Sequence, residues 1–115
     1  MARFRITGPA QADLEHALTT SRERWGDAGR ARYSQLLETA MRVIARAPMG
    51  GATRDRSELA PGVRSLHVRH ARRGTGVREP VHVVFYRVDG ERTEIVRVLH
   101  ERMEPTLHVV AKKRR

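Results

Sequence analysis

A chain of 115 residues with 23 Lys and Arg against 13 Asp and Glu, net +10 with His neutral, is long enough for one domain and too short for two ordinary ones. It has no cysteine, which excludes a disulfide-stapled scaffold, a thiolate zinc site and a Cys nucleophile. No stretch approaches the roughly 20 apolar residues of a membrane span, and Met1–Ile6 lacks a signal-peptide core, so a cytoplasmic protein is expected.

The chain opens on an expected strand, 2–7, where Phe4 and Ile6 alternate with Arg3 and Arg5. Gly8-Pro9 ends it, and Pro9 suits the first turn of a helix because its missing N–H has no partner to lose there. Leu14, Ala17, Leu18, Ser21 and Trp25 then form one helical face up to Gly26. Asp27 is placed to cap a second helix, with Tyr33, Leu37, Ala40, Ile44 and Ala47 on one face and Pro48 as its stop. Two amphipathic helices joined by so short a break predict an antiparallel helical hairpin. Residues 49–62, with Gly50, Gly51, Pro61 and Gly62, read as a loop.

From Val63 the apolar period changes to two. Strands are expected at 63–68, 81–88 and 92–99, with Asp89-Gly90 as a type I′ turn between the last two. That turn sets Val88 opposite Glu91. It puts Val81, Val83, Phe85, Val96 and Val98 on an aliphatic face, expected to receive the hairpin. His82, Val84, Tyr86, Ile95 and Arg97 then share a half-polar face, expected to be the working surface. Residues 69–80 form a basic loop or mobile hairpin tip, a short helix is expected near 105–110, and the basic tail 111–115 should fray. The whole is a single α+β domain over 1–115, ordered β-α-α-β-β-β with a short C-terminal helix, a helical hairpin on a small antiparallel-rich sheet.

The charge is uneven. Residues 1–60 carry 10 basic and 7 acidic side chains, net +3, whereas 61–115 carry 13 and 6, net +7. Such an excess points to an anionic partner: nucleic acid, an anionic surface or an acidic protein. Neither helix reads as a basic recognition helix, so sequence-specific DNA binding by this chain alone is not expected. His67 and His70, three apart on an expected strand, would point to opposite faces and make no metal site, and no cofactor is expected. No nucleophile elbow or phosphate loop is present. The one catalytic constellation is a ribonuclease set in which His82, Arg97 and Tyr86 supply an imidazole, a cation and a phenol for cleavage through the RNA 2′-OH.

The ordered motifs add a resemblance. Gln11-Ala12-Asp13-Leu14 with Arg24-Trp25-Gly26, Ala31-Arg32-Tyr33 through Leu36-Leu37 and Ala47-Pro48, and Ser57-Glu58-Leu59 with Gly62-Val63-Arg64-Ser65 lead to Val84-Phe85-Tyr86-Arg87 and the run Glu94–Met103. Over nearly the whole chain this order resembles the ParE branch of the RelE/ParE toxin superfamily of bacterial type II toxin–antitoxin modules. The resemblance implies the α+β fold already derived, inhibition of DNA gyrase, and neutralisation by a cognate acidic ParD-like antitoxin with a possible ribbon–helix–helix DNA-binding half. On that reading His100, Glu101, Arg102 and Met103 meet the target, supported by Arg64, Arg87 and Arg97. Leu14, Leu18 and Leu36 would dock the antitoxin helix, and Arg69, Arg72 and Arg73 would meet its acidic stretch. The alternative within the same superfamily is a RelE-type, ribosome-dependent mRNA endonuclease using His82, Tyr86, Arg97 and His100. That branch often carries a C-terminal Tyr, whereas the last Tyr here is Tyr86. A non-toxic binding module of the same fold is the third reading. The loop 69–80 is longer and more basic than the tight turn of many relatives.

Overall fold

The computed structural model describes residues 3–109; the expected tail at 111–115 lies outside them. A short strand β1 (Arg3–Ile6) leads through Thr7 into a helical segment α1 (Gly8–Arg46). Thr7 is the N-cap: its hydroxyl accepts from the Ala10 N–H at 3.2 Å and donates to the Val96 carbonyl at 2.9 Å, so one side chain starts the helix and ties it to the sheet. Helical hydrogen bonding runs on through 39 residues, but Gly26 interrupts it with φ 75° and ψ −173°. A straight helix of that length would measure about 58 Å, and the greatest extent of the molecule is 43 Å. Gly29 confirms the reversal: a Cβ there would lie 3.6 Å from the Ser21 carbonyl oxygen, eight residues back. The expected hairpin is therefore present, with Gly26 as its corner.

Four further strands follow: β2 (Arg54–Asp55), β3 (Val63–His67), β4 (His82–Asp89) and β5 (Arg92–His100). The sheet order is β1-β5-β4-β3-β2, with β1 parallel to β5 and every other pair antiparallel. The short β2 lies in what the sequence presents as loop. The expected C-terminal helix is a single 3-10 turn, Pro105–Leu107, capped by the Glu104 carboxylate.

The β4–β5 register differs from the expected one. Asp89 pairs with Arg92 and Val88 with Thr93, so the two turn residues are Gly90 and Glu91. Positive φ is confined to Gly90, the pattern of a type II′ rather than a type I′ turn. Beyond Tyr86–Ile95 the next pair is Phe85–Arg97, which leaves Val96 as a bulge. An extra residue inverts the alternation, so Val98 joins Val84 and Ile95 on one face.

The covered face is also the opposite of the expected one. Val84, Tyr86, Ile95 and Val98 pack with Leu66 beneath Ala10, Ala17, Tyr33, Leu36, Leu37, Ala40 and Ile44 of the hairpin. Phe85, Val63 and Leu99, with Val83 and Val96 beside them, form a smaller cluster under Ala60 and Val109. The half-polar face can be buried because its polar tips find partners: the Tyr86 hydroxyl donates to the Pro48 carbonyl, and His82 bonds Tyr33. Trp25, expected on the inner helical face, is 58% exposed at the hairpin corner with the Arg24 guanidinium 5.5 Å from its ring centroid.

Candidate functional site

The far end of the β4–β5 ribbon gathers most of the candidate chemistry. His82 and His100 are directly paired across the strands, with ring centroids 5.8 Å apart. The Tyr33 oxygen accepts the Val81 N–H at 3.1 Å and lies 2.7 Å from His82 Nδ1. One proton lies between the phenol oxygen and Nδ1, and His82 is an uncharged ring near neutrality. Burial, with His100 close by, pushes its pKa down to about 4. Burial likewise raises the Tyr33 phenol above its ordinary value. Neither group is poised to exchange protons near neutrality.

The four ribonuclease candidates do not converge as free groups. Tyr86 is wholly buried with its hydroxyl on Pro48. Arg97 faces Phe85 rather than His82 and is held bidentate by Asp13, Nε to Oδ2 at 2.7 Å and Nη2 to Oδ1 at 2.9 Å. Its remaining donor, Nη1, reaches the His108 carbonyl at 3.0 Å. Only His100 stays next to His82, and its Nδ1 accepts the Arg102 N–H at 3.1 Å.

The segment after β5 is built by short local contacts. The Glu101 N–H donates to the Val81 carbonyl at 2.7 Å and the Met103 N–H to the His100 carbonyl at 2.9 Å, which folds the chain into a turn. The Glu101 carboxylate takes a 2.7 Å bond from His67 Nε2, which holds its pKa below the usual carboxylate range. Arg102 is exposed, and Met103 is 39% exposed. The three supporting arginines are engaged internally. Arg64 donates to the Pro48 carbonyl and the Thr53 hydroxyl, Arg87 lies 3.8 Å from Glu94, and Arg97 is locked to Asp13. Within the expected target set, exposed side chains are therefore concentrated at Glu101, Arg102 and Met103.

The expected antitoxin set is divided. Leu14 and Leu18 are half-buried at the margin of the core, whereas Leu36 is 0% exposed inside it. Leu36 cannot be offered to a partner: the step from Tyr33 to Leu37 that sets the inward face also turns Leu36 inward. Arg69, Arg72 and Arg73 are exposed on the loop between β3 and β4. This loop joins the antiparallel neighbours β3 and β4 and has internal structure of its own. It opens with a 3-10 turn, Val68–Ala71, capped by His67 Nδ1 accepting from the Arg69 N–H, and buries Thr75, whose hydroxyl bonds the Arg72 carbonyl at 2.6 Å. His70 lies in that turn rather than on the strand. Among the described residues no group of three or more His, Asp or Glu side chains is placed to hold a metal ion.

Two important residues were not visible as such in the sequence. Asp13 looks like one more helix-surface charge, yet it also accepts the Val98 N–H at 2.9 Å where β1 no longer covers the β5 edge. Tyr33 carries the right signal for a core position and none for the His82 bond, since 49 residues separate the partners.

Comparison with known proteins gives the family. Residues 4–105 match the family model described as ParE toxin of type II toxin–antitoxin system, parDE. Toxin ParE1 of Caulobacter vibrioides is 37% identical over 109 residues, 95% of this chain and 99% of the relative. Toxin ParE1 of Mycobacterium tuberculosis is 36% identical over 104 residues, 90% and 93% of the two chains. Toxin ParE of Escherichia coli is 35% identical over 106 residues, 90% and 89%. Among solved structures, the chromosomal ParDE toxin–antitoxin system from P. aeruginosa superposes with a TM-score of 0.66 at 21% identity, covering 87% of this chain and 96% of that one. The RelBE2 toxin–antitoxin complex from Mycobacterium tuberculosis gives 0.51 at 22% identity, covering 86% and 96%. Fold, motif order and sequence identity agree: the chain belongs to the ParE toxin family of type II toxin–antitoxin systems.

Proposed function

We propose that this toxin inhibits DNA gyrase and is neutralised by a cognate antitoxin. The observation that favours this over cleavage of mRNA is the state of the ribonuclease candidates. His82 is a half-buried neutral ring, Tyr86 is bonded to Pro48, and Arg97 is bonded to Asp13. A self-sufficient 2′-OH cleavage needs a base, a phosphate-facing cation and an acid at one exposed place, and only His100 among the four is without such a commitment to the interior. The proposed gyrase contact is the turn after β5, with Arg102 and Met103 outermost and His100 and Glu101 shaping the turn.

An antitoxin partner is supported by the family, and by solved relatives described as toxin–antitoxin complexes. Its apolar helix would cover Leu14 and Leu18, which the hairpin leaves partly open. The direct test incubates the purified toxin with gyrase and relaxed plasmid, then traps covalent complexes with detergent and protease. Lost supercoiling with accumulation of linear DNA is the expected result. Undiminished supercoiling at a large excess of toxin overturns the proposal.

A further inference from the structure

The loop between β3 and β4 carries the densest positive charge among the described residues, and its arginines differ from those of the sheet. Arg69, Arg72, Arg73 and Arg78 line an open cavity of about 590 Å³ together with Gly74 and Gly76. None of the four has a carboxylate oxygen within 4 Å among the described residues. Their positions are built rather than incidental. Thr75 is buried and bonds both the Arg72 carbonyl and the Val77 N–H, which fixes the loop between two glycines at φ 79°. At Gly76 a Cβ would lie 2.9 Å from Cδ of Arg32, so a fifth arginine from the helical hairpin lies across the loop. Arg72 bonds the Arg78 carbonyl at 3.4 Å and bridges the two limbs of the cavity.

We propose that this arginine cradle binds the phosphodiester backbone of a nucleic-acid duplex without reading its sequence. Several guanidiniums around one open concavity suit a row of phosphates, to which each arginine can offer paired N–H donors. The one ring at the cradle is the His70 imidazole, and no Phe, Tyr or Trp lines it to form a stacking platform for successive unpaired bases, so a duplex backbone fits better than a single strand. Beyond the four-residue 3-10 turn Val68–Ala71 the loop presents no helix or strand to enter a groove, which leaves base edges unread. An acidic polypeptide is the competing occupant. This proposal does not depend on the gyrase reading, because its test contains no topoisomerase.

The test measures fluorescence anisotropy of labelled 24-bp DNA and RNA duplexes with the full chain across a salt series. The variants are R69Q/R72Q/R73Q and a control, R46Q/R54Q/R92Q, that removes the same charge at exposed arginines away from the cradle. Counterion release gives a log–log salt slope of about −0.9 per neutralised phosphate, so the cradle variant is expected to lose roughly 2 to 3 from the slope and the control less than about 1. Affinity should not change when the duplex sequence is scrambled. Cradle-dependent binding of either duplex supports the proposal, and the preferred one names the source of the phosphates. Equal losses in the two variants would reduce the effect to the overall charge and overturn it. So would tighter cradle-dependent binding of poly-glutamate than of either duplex, or no duplex binding at 50 mM salt. Matching thermal melts of the three proteins check that no loss reflects unfolding.

Discussion

The arginines of the sheet and those of the β3–β4 loop have the same chemistry and opposite roles. Arg64, Arg87 and Arg97 each reach a carbonyl, hydroxyl or carboxylate of their own chain, and together they join the sheet to the helical hairpin, the loop after it and the C-terminal segment. Arg69, Arg72, Arg73 and Arg78 surround an open cavity with no acidic partner among the described residues. A net charge of +10 therefore overstates what is on offer to a partner in one region and marks it correctly in another. The difference lies in where the chain supplies carboxylates and carbonyls, not in the number of guanidiniums.

The largest effect should come from breaking the best sheet-to-hairpin contact. Asp13→Ala strands the half-buried Arg97 guanidinium and the Val98 N–H together, at an expected cost of about 3 kcal/mol in urea unfolding. A loss under about 1 kcal/mol would mean that water replaces the carboxylate and that the sheet arginines are no more committed than the loop ones.

Acid should weaken the sheet end next. An unfolded His82 titrates near 6.5 and the folded one at about 4, so between those values the unfolded chain holds the extra proton. Stability is full above pH 6.5 and falls as the pH drops toward 4, by up to ~3 kcal/mol. The Glu101 carboxylate, also depressed, adds to the loss only below its ordinary 4.5. Unfolding midpoints at pH 7.5, 5.5 and 4.5 should show the decline in the wild type and a flatter profile in His82→Gln.

Gly26→Ala ranks third. Its φ of 75° with ψ near 180° is a glycine conformation, and no atom crowds the position, so the expected cost of about 2 kcal/mol is backbone strain alone. A neutral result would show that the hairpin corner relaxes freely. The smallest effect belongs to the loop: Arg73→Gln should change stability by less than about 0.5 kcal/mol, checked by thermal melting. A larger loss would give the loop arginines a structural role and erase the contrast with the sheet.

Local chemistry explains what could be read without coordinates. Gly26 as a corner, Pro48 as a stop, the period-two strands and the helix faces apart from their ends at Trp25 and Ala47 depend on near neighbours, and these came out as expected. The β4–β5 register did not, because Asp89-Gly90 suits a turn one position earlier and nothing local marks Val96 as a bulge. The buried face was misjudged for a related reason. His82 and Tyr86 look costly to bury until Tyr33 and the Pro48 carbonyl, 49 and 38 residues away, are seen to meet them. The same long-range pairing ties Arg97 and Tyr86 into the fold, whereas the exposed Arg102 and Met103 depend only on the turn that follows β5.

The most direct measurement runs gyrase cleavage and ribosomal mRNA mapping side by side, with the wild type and with R102A/M103A. The account predicts that the wild type traps broken DNA and leaves mRNA intact. It also predicts that the double variant melts like the wild type and traps at least about tenfold less. Codon-positioned cuts in mRNA with no effect on gyrase would contradict it.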